Sequence, residues 1–458
     1  MKESMTDTIA AISTAEGQGG VGIIRISGPR ALAVGLRLFQ TREEIRERYF
    51  HFGIIAASDG KTIDRGFLVY MKGPRSYTGE DIVELHCHGG PLILRKVLTE
   101  ALSAGATAAH PGEFTKRAFL AGKLDLSQAE AVIDIVRAQT ELSLSSAFCR
   151  LEGSLSRKVR SIKAPLVEML ARIEAELDFS EEEIDAIHTE AIAGALSAAS
   201  SGIERMLETF EEGRAIREGV RVLILGRPNA GKSSLLNVLL EEERAIVTDV
   251  PGTTRDVIEE AVSIRGIAVR LMDTAGLRET RDEVEAIGVR RAKEKAAVAG
   301  LILYIIDLTG PFEEDLAFLD ELGDRKIIIV ANKKDLPQAD IRASKEAFAA
   351  WPLAAISALN EEGIDELKDF IFSQVAGHHK ADFTAPPGEL VASVRHRDCL
   401  VKSQAAIGRA LDALSEGLPM ELLATDIREA IDALGEITGE TTTDDILEII
   451  FSTFCIGK

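Results

Sequence analysis

The run Gly-Arg-Pro-Asn-Ala-Gly-Lys-Ser at 226 to 233 constrains this chain more than any other feature, because it works in only one structural setting. It follows a strand-like apolar segment, Val-Arg-Val-Leu-Ile-Leu at 220 to 225, and opens a helical run from Ser234 to Leu240. A glycine-rich turn between a buried strand and a helix aims successive backbone N–H groups at one spot, where the helix N-terminus adds positive potential. Phosphate fits such a spot. Lys232 would neutralise its outer charge and Ser233 would offer a hydroxyl to Mg²⁺. The candidate contacts of this loop are Asn229, Ala230, Gly231, Lys232, Ser233 and Ser234.

Further steps follow in a fixed order. Ala268 to Met272 reads as a strand ending at Asp273, Thr274, Ala275 and Gly276, which sets a carboxylate near the metal and a glycine N–H near the terminal phosphate. A strand at Leu301 to Ile306 precedes Asp307, and another at Lys326 to Ala331 leads into Asn332, Lys333, Lys334 and Asp335. The Asp335 carboxylate can accept from guanine N1 and N2 and would face the wrong groups on adenine. Ser357 and Ala358 resemble the step that supports guanine O6. Pro-Gly-Thr-Thr-Arg-Asp at 251 to 256 lies where a switch loop belongs, and Thr254 is its expected Mg²⁺ ligand when GTP is bound. Leu277 stands where signalling GTPases carry a water-orienting glutamine, and leucine has no hydrogen-bonding side chain. Arg278, Asp282, Glu283 and Glu285 follow as substitutes; a charged helix face accounts for them equally well.

The rest of the chain is arranged around this centre. Its 458 residues exceed one hydrophobic core, at roughly 100 to 200 residues per domain. From 20 to 122, short β-branched runs at Val21 to Ile26, Phe50 to Ala56, Ile63 to Tyr70 and Ile82 to Leu85 predict an α+β domain, with a helix from Pro91 to about Ser103. From 124 the spacing turns helical, with stripes at Ala129 to Val136, Leu151 to Ile162 and Leu166 to Leu177, then a helix from the glutamate-rich 180 to 185 segment to near Gly213. Stripes return at Leu400 to Leu414 and Leu423 to Leu434. Neither helical block closes its own core, so the expected arrangement is one discontinuous all-α domain interrupted by an inserted Ras-like P-loop α/β domain. The divisions are 1 to 122, 123 to 218, 219 to 379 and 380 to 458.

Cys87, Cys149, Cys399 and Cys455 form no Cys-x-x-Cys pair, which points to a reducing, cytoplasmic home. No signal-like start and no apolar run near 18 residues is present, so neither secretion nor a membrane span is expected. The formal net charge of -21 opposes nonspecific binding of polyanions but leaves room for a local basic groove. Arg150, Arg157, Lys158, Arg160, Arg395, Arg397 and Lys402 are candidates for one; solvated helix faces explain them as well.

With these motifs in place, the central domain resembles the Era, Der and MnmE (TrmE) GTPases, and the flanks select among them. Ile-Ile-Arg-Ile-Ser-Gly at 23 to 28, Glu-Leu-His-Cys-His-Gly-Gly at 84 to 90, Pro-Gly-Glu-Phe-Thr-Lys-Arg-Ala-Phe at 111 to 119 and Phe-Cys-Ile-Gly-Lys at 454 to 458 resemble the MnmE family of tRNA uridine-modification GTPases. The resemblance extends over essentially the full chain. It implies an N-terminal folate-binding domain, a homodimer through that domain, and a FAD-binding partner protein in a heterotetramer or larger complex acting on tRNA. Carried over by position, Asn229, Thr248, Val250 and Thr253 would hold K⁺, while Ser233 and Thr254 would hold Mg²⁺. Glu285 would orient the attacking water, with Arg278 as a weaker companion. Arg25, Glu84, Lys123 and Lys458 match positions associated with 5-formyl- or 5,10-methylene-tetrahydrofolate. Cys455 reads either as a catalytic thiol near that site or as a structural cysteine. His86 and His88 share a strand face, which is compatible with a metal or with ordinary packing. A ribosome-assembly GTPase of the Era or Der kind is the alternative; it would carry a second G domain or a C-terminal RNA-binding module.

Overall fold

The computed structural model describes residues 7–15, 17–178, 189–242, 260–272, 294–377 and 386–458. These fall into two compact units, one of residues 1–133 with 438–458 and one of residues 134–437.

In the first unit, strands β1 (Ile9–Ile12), β2 (Gly19–Ser27), β3 (Phe39–Gln40), β4 (His51–Ala56), β5 (Thr62–Met71), β6 (Ile82–Gly89) and β7 (Thr107–Ala108) form one sheet in the order β3-β4-β5-β6-β2-β1-β7. Only the β1–β7 pairing is parallel. Alternation along β2 and β6 sends Ile24, Ile26, Val83 and Leu85 into a core with Val34 and Leu38 of helix Ala31–Leu38 and Leu94 and Val97 of helix Pro91–Ser103. Pro91 opens the latter at the position where its missing N–H costs nothing, and Gly105 follows its end with φ +104°. A smaller cluster joins Leu126, Ala129 and Ile133 to Leu447, Phe451 and Phe454. The 454–458 segment then returns to the sheet: Gly457 lies at φ +93° against β1, where a Cβ would sit 2.2 Å from the Ile12 carbonyl oxygen.

In the second unit, β8 (Val220–Gly226), β9 (Glu260–Ile264), β10 (Ile267–Met272), β11 (Leu301–Asp307), β12 (Ile327–Asn332) and β13 (Leu353–Ala355) form a six-stranded sheet in the order β13-β12-β11-β8-β10-β9. All its pairings are parallel except β9 with β10. The parallel strands are buried on both faces over most of their length, which is why β11, β12 and the Val222–Leu225 part of β8 read as apolar runs. Strand order reverses at β8, whose neighbours β11 and β10 come later in the chain. The phosphate loop therefore opens at the switch point of the sheet, where α/β folds bind ligands.

Helices Ser154–Asp178, Thr189–Glu208, Val394–Ser415 and Met420–Thr438 share one apolar cluster that joins Leu155, Val159, Leu166 and Ile203 to Leu400, Ile407, Ile427 and Leu434. The two helical blocks form one discontinuous domain with the six-stranded domain inserted between them. The segments leading in and out of the insertion are clasped. Val391 N–H donates to Thr209 Oγ1 (3.0 Å), Ser146 Oγ to Pro387 O (2.7 Å) and Ser154 Oγ to Gly388 O (2.6 Å).

Two expectations are corrected. The stripe from Leu151 to Ile162 is broken, because helix Glu141–Leu151 ends before Gly153 (φ +81°) and a new helix begins at Ser154. The helix expected to end near Gly213 instead ends at Glu208, and a second helix, Phe210–Glu218, carries Gly213 in its interior, where Val391 O approaches too closely for a side chain.

Candidate nucleotide and folate sites

At the carboxyl end of β8 the backbone is pinned by two glycines. Gly226 lies at φ +142° with a would-be Cβ 2.3 Å from Ile305 O, and Gly231 at φ +102° with a would-be Cβ 2.0 Å from Asn332 Nδ2. Asn229 also adopts a positive φ, +63°, which asparagine tolerates better than most residues. Helix Lys232–Glu242 follows at once. The Lys232 ammonium donates to Gly226 O (2.8 Å) and Arg227 O (2.7 Å), which leaves one N–H for a phosphate oxygen, and burial lowers its pKa. Ser233 and Asn229 are exposed beside it and supply hard oxygen donors suited to Mg²⁺ or K⁺.

Asn332, at the end of β12, holds the site together. Its amide donates to Ala230 O of the phosphate loop (2.8 Å) and accepts from Ala358 N (3.0 Å) of the base-side loop, and the residue is 3% exposed. Next to it, the Lys333 ammonium pairs with the Asp307 carboxylate at the end of β11. Burial raises the Asp307 pKa, but hydrogen bonds from Lys333 and from the backbone and hydroxyl of Thr309 outweigh it and hold the carboxyl below its ordinary value. Asp335 Oδ1 accepts from Ser357 Oγ (2.6 Å), which fixes the carboxylate and leaves Oδ2 for a base edge. The sequence-predicted Asn229, Ala230, Gly231, Lys232, Ser233, Ser234, Asn332, Lys333, Asp335, Ser357 and Ala358 are thus carried by the carboxyl ends of β8, β12 and β13. The Asp307 clamp was not foreseen; an aspartate ending an apolar strand was its only signal. Thr248, Val250, Thr253, Thr254, Asp273, Thr274, Ala275, Gly276, Arg278 and Glu285 lie outside the described residues.

The first unit carries a second cluster. Arg25 on β2 and Glu84 on β6 are directly paired in register, and both Nε and Nη2 of the arginine meet Glu84 Oε1 at 2.9 Å. Glu84 Oε2 lies 3.2 Å from His86 Nε2. Burial raises the Glu84 pKa, but His86 and Arg25 together hold it below the usual range. The guanidinium also lies against the Tyr77 and Phe114 rings, 6.0 and 5.7 Å from their centroids, and Nη1 reaches Gly457 O at 3.4 Å. Lys458 is the next residue. Lys123 is exposed beside Gly79, whose would-be Cβ is 3.5 Å from Lys123 Cε. Cys455 is free and exposed, so the buried structural reading of it is set aside.

Other candidates are engaged elsewhere. His88 meets Asp64 at 2.9 Å, and among the described residues no group of three or more His, Cys, Asp or Glu is arranged to hold a metal. Arg150 is corrected as a groove residue or solvated charge: it is 3% exposed and paired with Asp134 (3.1 Å). Arg395 donates to the Glu436 and Ile437 carbonyls, and Arg397 pairs with Asp398 and stacks over Phe210. Among the described residues, no helix is long and apolar enough to cross a membrane.

The comparisons with known proteins agree across the chain. The family described as MnmE helical domain matches residues 126–455, and that described as GTP-binding protein TrmE N-terminus matches residues 8–123. The chain is 46% identical over 456 residues to the tRNA modification GTPase MnmE of Aquifex aeolicus, covering 99% of this chain and 100% of that one. It is 47% identical to the protein of the same name from Geobacter sulfurreducens and 44% identical to that from Clostridioides difficile, each alignment covering 99% of both chains.

Substitution Asn332→Ala removes both cross-loop hydrogen bonds and leaves Ala230 O and Ala358 N without them. At about 1 to 3 kcal/mol for such groups, guanine-nucleotide affinity should fall about tenfold to hundredfold. Titration with a fluorescent GDP checks this; unchanged affinity would remove Asn332 from its bridging role.

Proposed function

This chain belongs to the MnmE family of tRNA-modification GTPases, and on that premise we propose that it is a K⁺-dependent GTP hydrolase that modifies C5 of the wobble uridine (U34) of tRNA. It acts with a FAD-binding partner and uses a one-carbon folate to install a (carboxymethyl)aminomethyl group. The observation that carries the reading is the Asn332 bridge, which joins the phosphate loop at Ala230 to the base-side loop at Ala358, whose neighbour Ser357 holds the Asp335 carboxylate. GTP turnover gates the modification and does not supply its covalent chemistry.

For hydrolysis, Lys232 and the loop N–H groups hold the phosphates, and Ser233 with Thr254 would hold Mg²⁺. Asn229, with the backbone of Thr248, Val250 and Thr253, would hold K⁺. A monovalent cation there offsets charge developing between the β- and γ-phosphates. Leu277 cannot orient water, so Glu285 takes that role, with Arg278 as its companion. In the first unit, Glu84, oriented by its pairing with Arg25, would accept from pterin N–H groups, Lys123 and Lys458 would meet the folate carboxylates, and Cys455 is the nucleophile candidate. The homodimer reading is supported by an exposed aromatic face on β4, β5 and the turn before β4. There Phe50, Phe52 and Phe67 are 55%, 58% and 41% exposed, and the Phe67 ring meets Phe50 edge-on and Phe52 at a tilt. The complex works in the cytosol.

Nucleoside analysis of tRNA from a strain lacking this gene should show the C5 substituent missing from wobble uridines; an unchanged profile would overturn the proposed function. GTP hydrolysis should be at least about tenfold faster in KCl than in NaCl, the scale of one well-placed electrostatic contact, and equal rates would exclude the K⁺ site. Calorimetric titration with 5-formyl-tetrahydrofolate should show binding that Glu84→Gln weakens about tenfold or more, as expected for a charged hydrogen bond. Equal affinity would place the folate elsewhere.

A further inference from the structure

The β9–β10 hairpin runs from the nucleotide end of its sheet to a turn at the opposite end. Arg265 and Gly266 make that turn with φ of +50° and +83°, the pair of positive values that a tight two-residue connection requires. The strands keep register from Ile264 with Ile267 to Glu260 with Leu271, and β10 is held to β8 from Val220 with Val269 to Leu223 with Met272. In the sequence, β9 follows the switch-like 251–256 run and β10 leads straight into Asp273. Both segments are therefore covalently continuous with one short ribbon.

The turn of that ribbon is not a free tip. Arg265 meets Asp369 (2.9 Å) and Asp365 (3.2 Å) of helix Ile364–Ala376. Gly266 rests on Leu142: a Cβ there would lie 3.1 Å from Leu142 Cδ2 and 3.2 Å from its Cβ. Ile267 is buried with Ala215, Ile216, Phe372 and Leu390. Leu142 stands in the first turn of helix Glu141–Leu151, which a capping box between Thr140 and Ser143 secures at one end. At its other end, Arg150 binds Asp134, which also takes Arg217 at 2.9 and 3.0 Å. Arg217 lies in the last turn of the helix that feeds β8.

We propose that the Arg265–Gly266 turn, seated on Leu142, is where the nucleotide state of the inserted domain is passed to the helical domain, with Leu142 as the positioning residue. The proposal rests on the GTPase reading. A paired ribbon resists stretching because its ladder bonds would break, and a side chain in direct contact with the turn carries a shift of the turn into the helix that bears it. The nucleotide can move this equilibrium only through unequal contacts in its two states, and β9 and β10 are the strands that adjoin the 251–256 run and Asp273 in the sequence.

The experiment is hydrogen exchange on the full chain, first with GDP and then with a non-hydrolysable GTP analogue, reading the amides of Glu141–Leu151. Wild-type protein should show exchange rates that differ by about threefold or more between the two nucleotides. Leu142→Ala should abolish that difference while nucleotide affinity stays within about twofold, and Leu142→Met, of similar volume, should retain it. Should the alanine variant fail to fold, Leu142→Val gives the graded reduction. Equal exchange in the two nucleotides in wild type, or a difference undiminished in the alanine or valine variant, overturns the coupling. Absence of guanine-nucleotide binding in wild type would overturn the GTPase reading instead.

Discussion

Apolar surface that neither helical block can bury alone governs how this chain is built. Val159, Leu166 and Ile203 come from before the inserted domain, and Leu400, Ile407 and Ile427 from after it, yet they occupy one cluster. At about 25 cal/mol per Å² of apolar surface, leaving either stripe exposed would forfeit most of the stability available to these helices. The chain must therefore return after the nucleotide-binding sheet. Its route out lies beside its route in, with Thr209, Ser146 and Ser154 binding the backbone of 387–391.

The nucleotide site has the same character on a smaller scale. Its loops come from strand ends separated by more than a hundred residues, and one buried side chain, Asn332, supplies both a donor and an acceptor between them. A carboxylate there could accept but not donate, and a lysine could donate but not accept. The requirement for both, in a space closed by Gly231, explains why an amide stands at that position.

How much of this could be read from residue order varies with the range of the interaction. The presence of β2 and β6, though not their full length, and the ends of helix Pro91–Ser103 were legible because alternation, a proline and a glycine mark them locally. The parallel strands were legible because burial on both faces leaves an uninterrupted apolar run. The breaks at Gly153 and Thr209 were not, since both fall inside stripes whose period continues past them. Arg150 looked like a solvated charge because nothing near it in sequence announces Asp134 as its partner. The phosphate-loop residues were recognisable by type, whereas the reach of Asn332 to Ala230, and of Arg25 to Gly457, depends on contacts that only folding creates.

The clasp at the base of the inserted domain has a meaning for the history of the chain. A segment whose two ends are already held side by side by its host adds no large loop to be closed when it is gained, because the closure entropy is borne by contacts the host makes anyway. Such a segment can be acquired or lost in a single genetic event while the surrounding helices keep their packing. The surrounding helices are then expected to keep their packing when the guanine-nucleotide domain is exchanged or excised at that clasp.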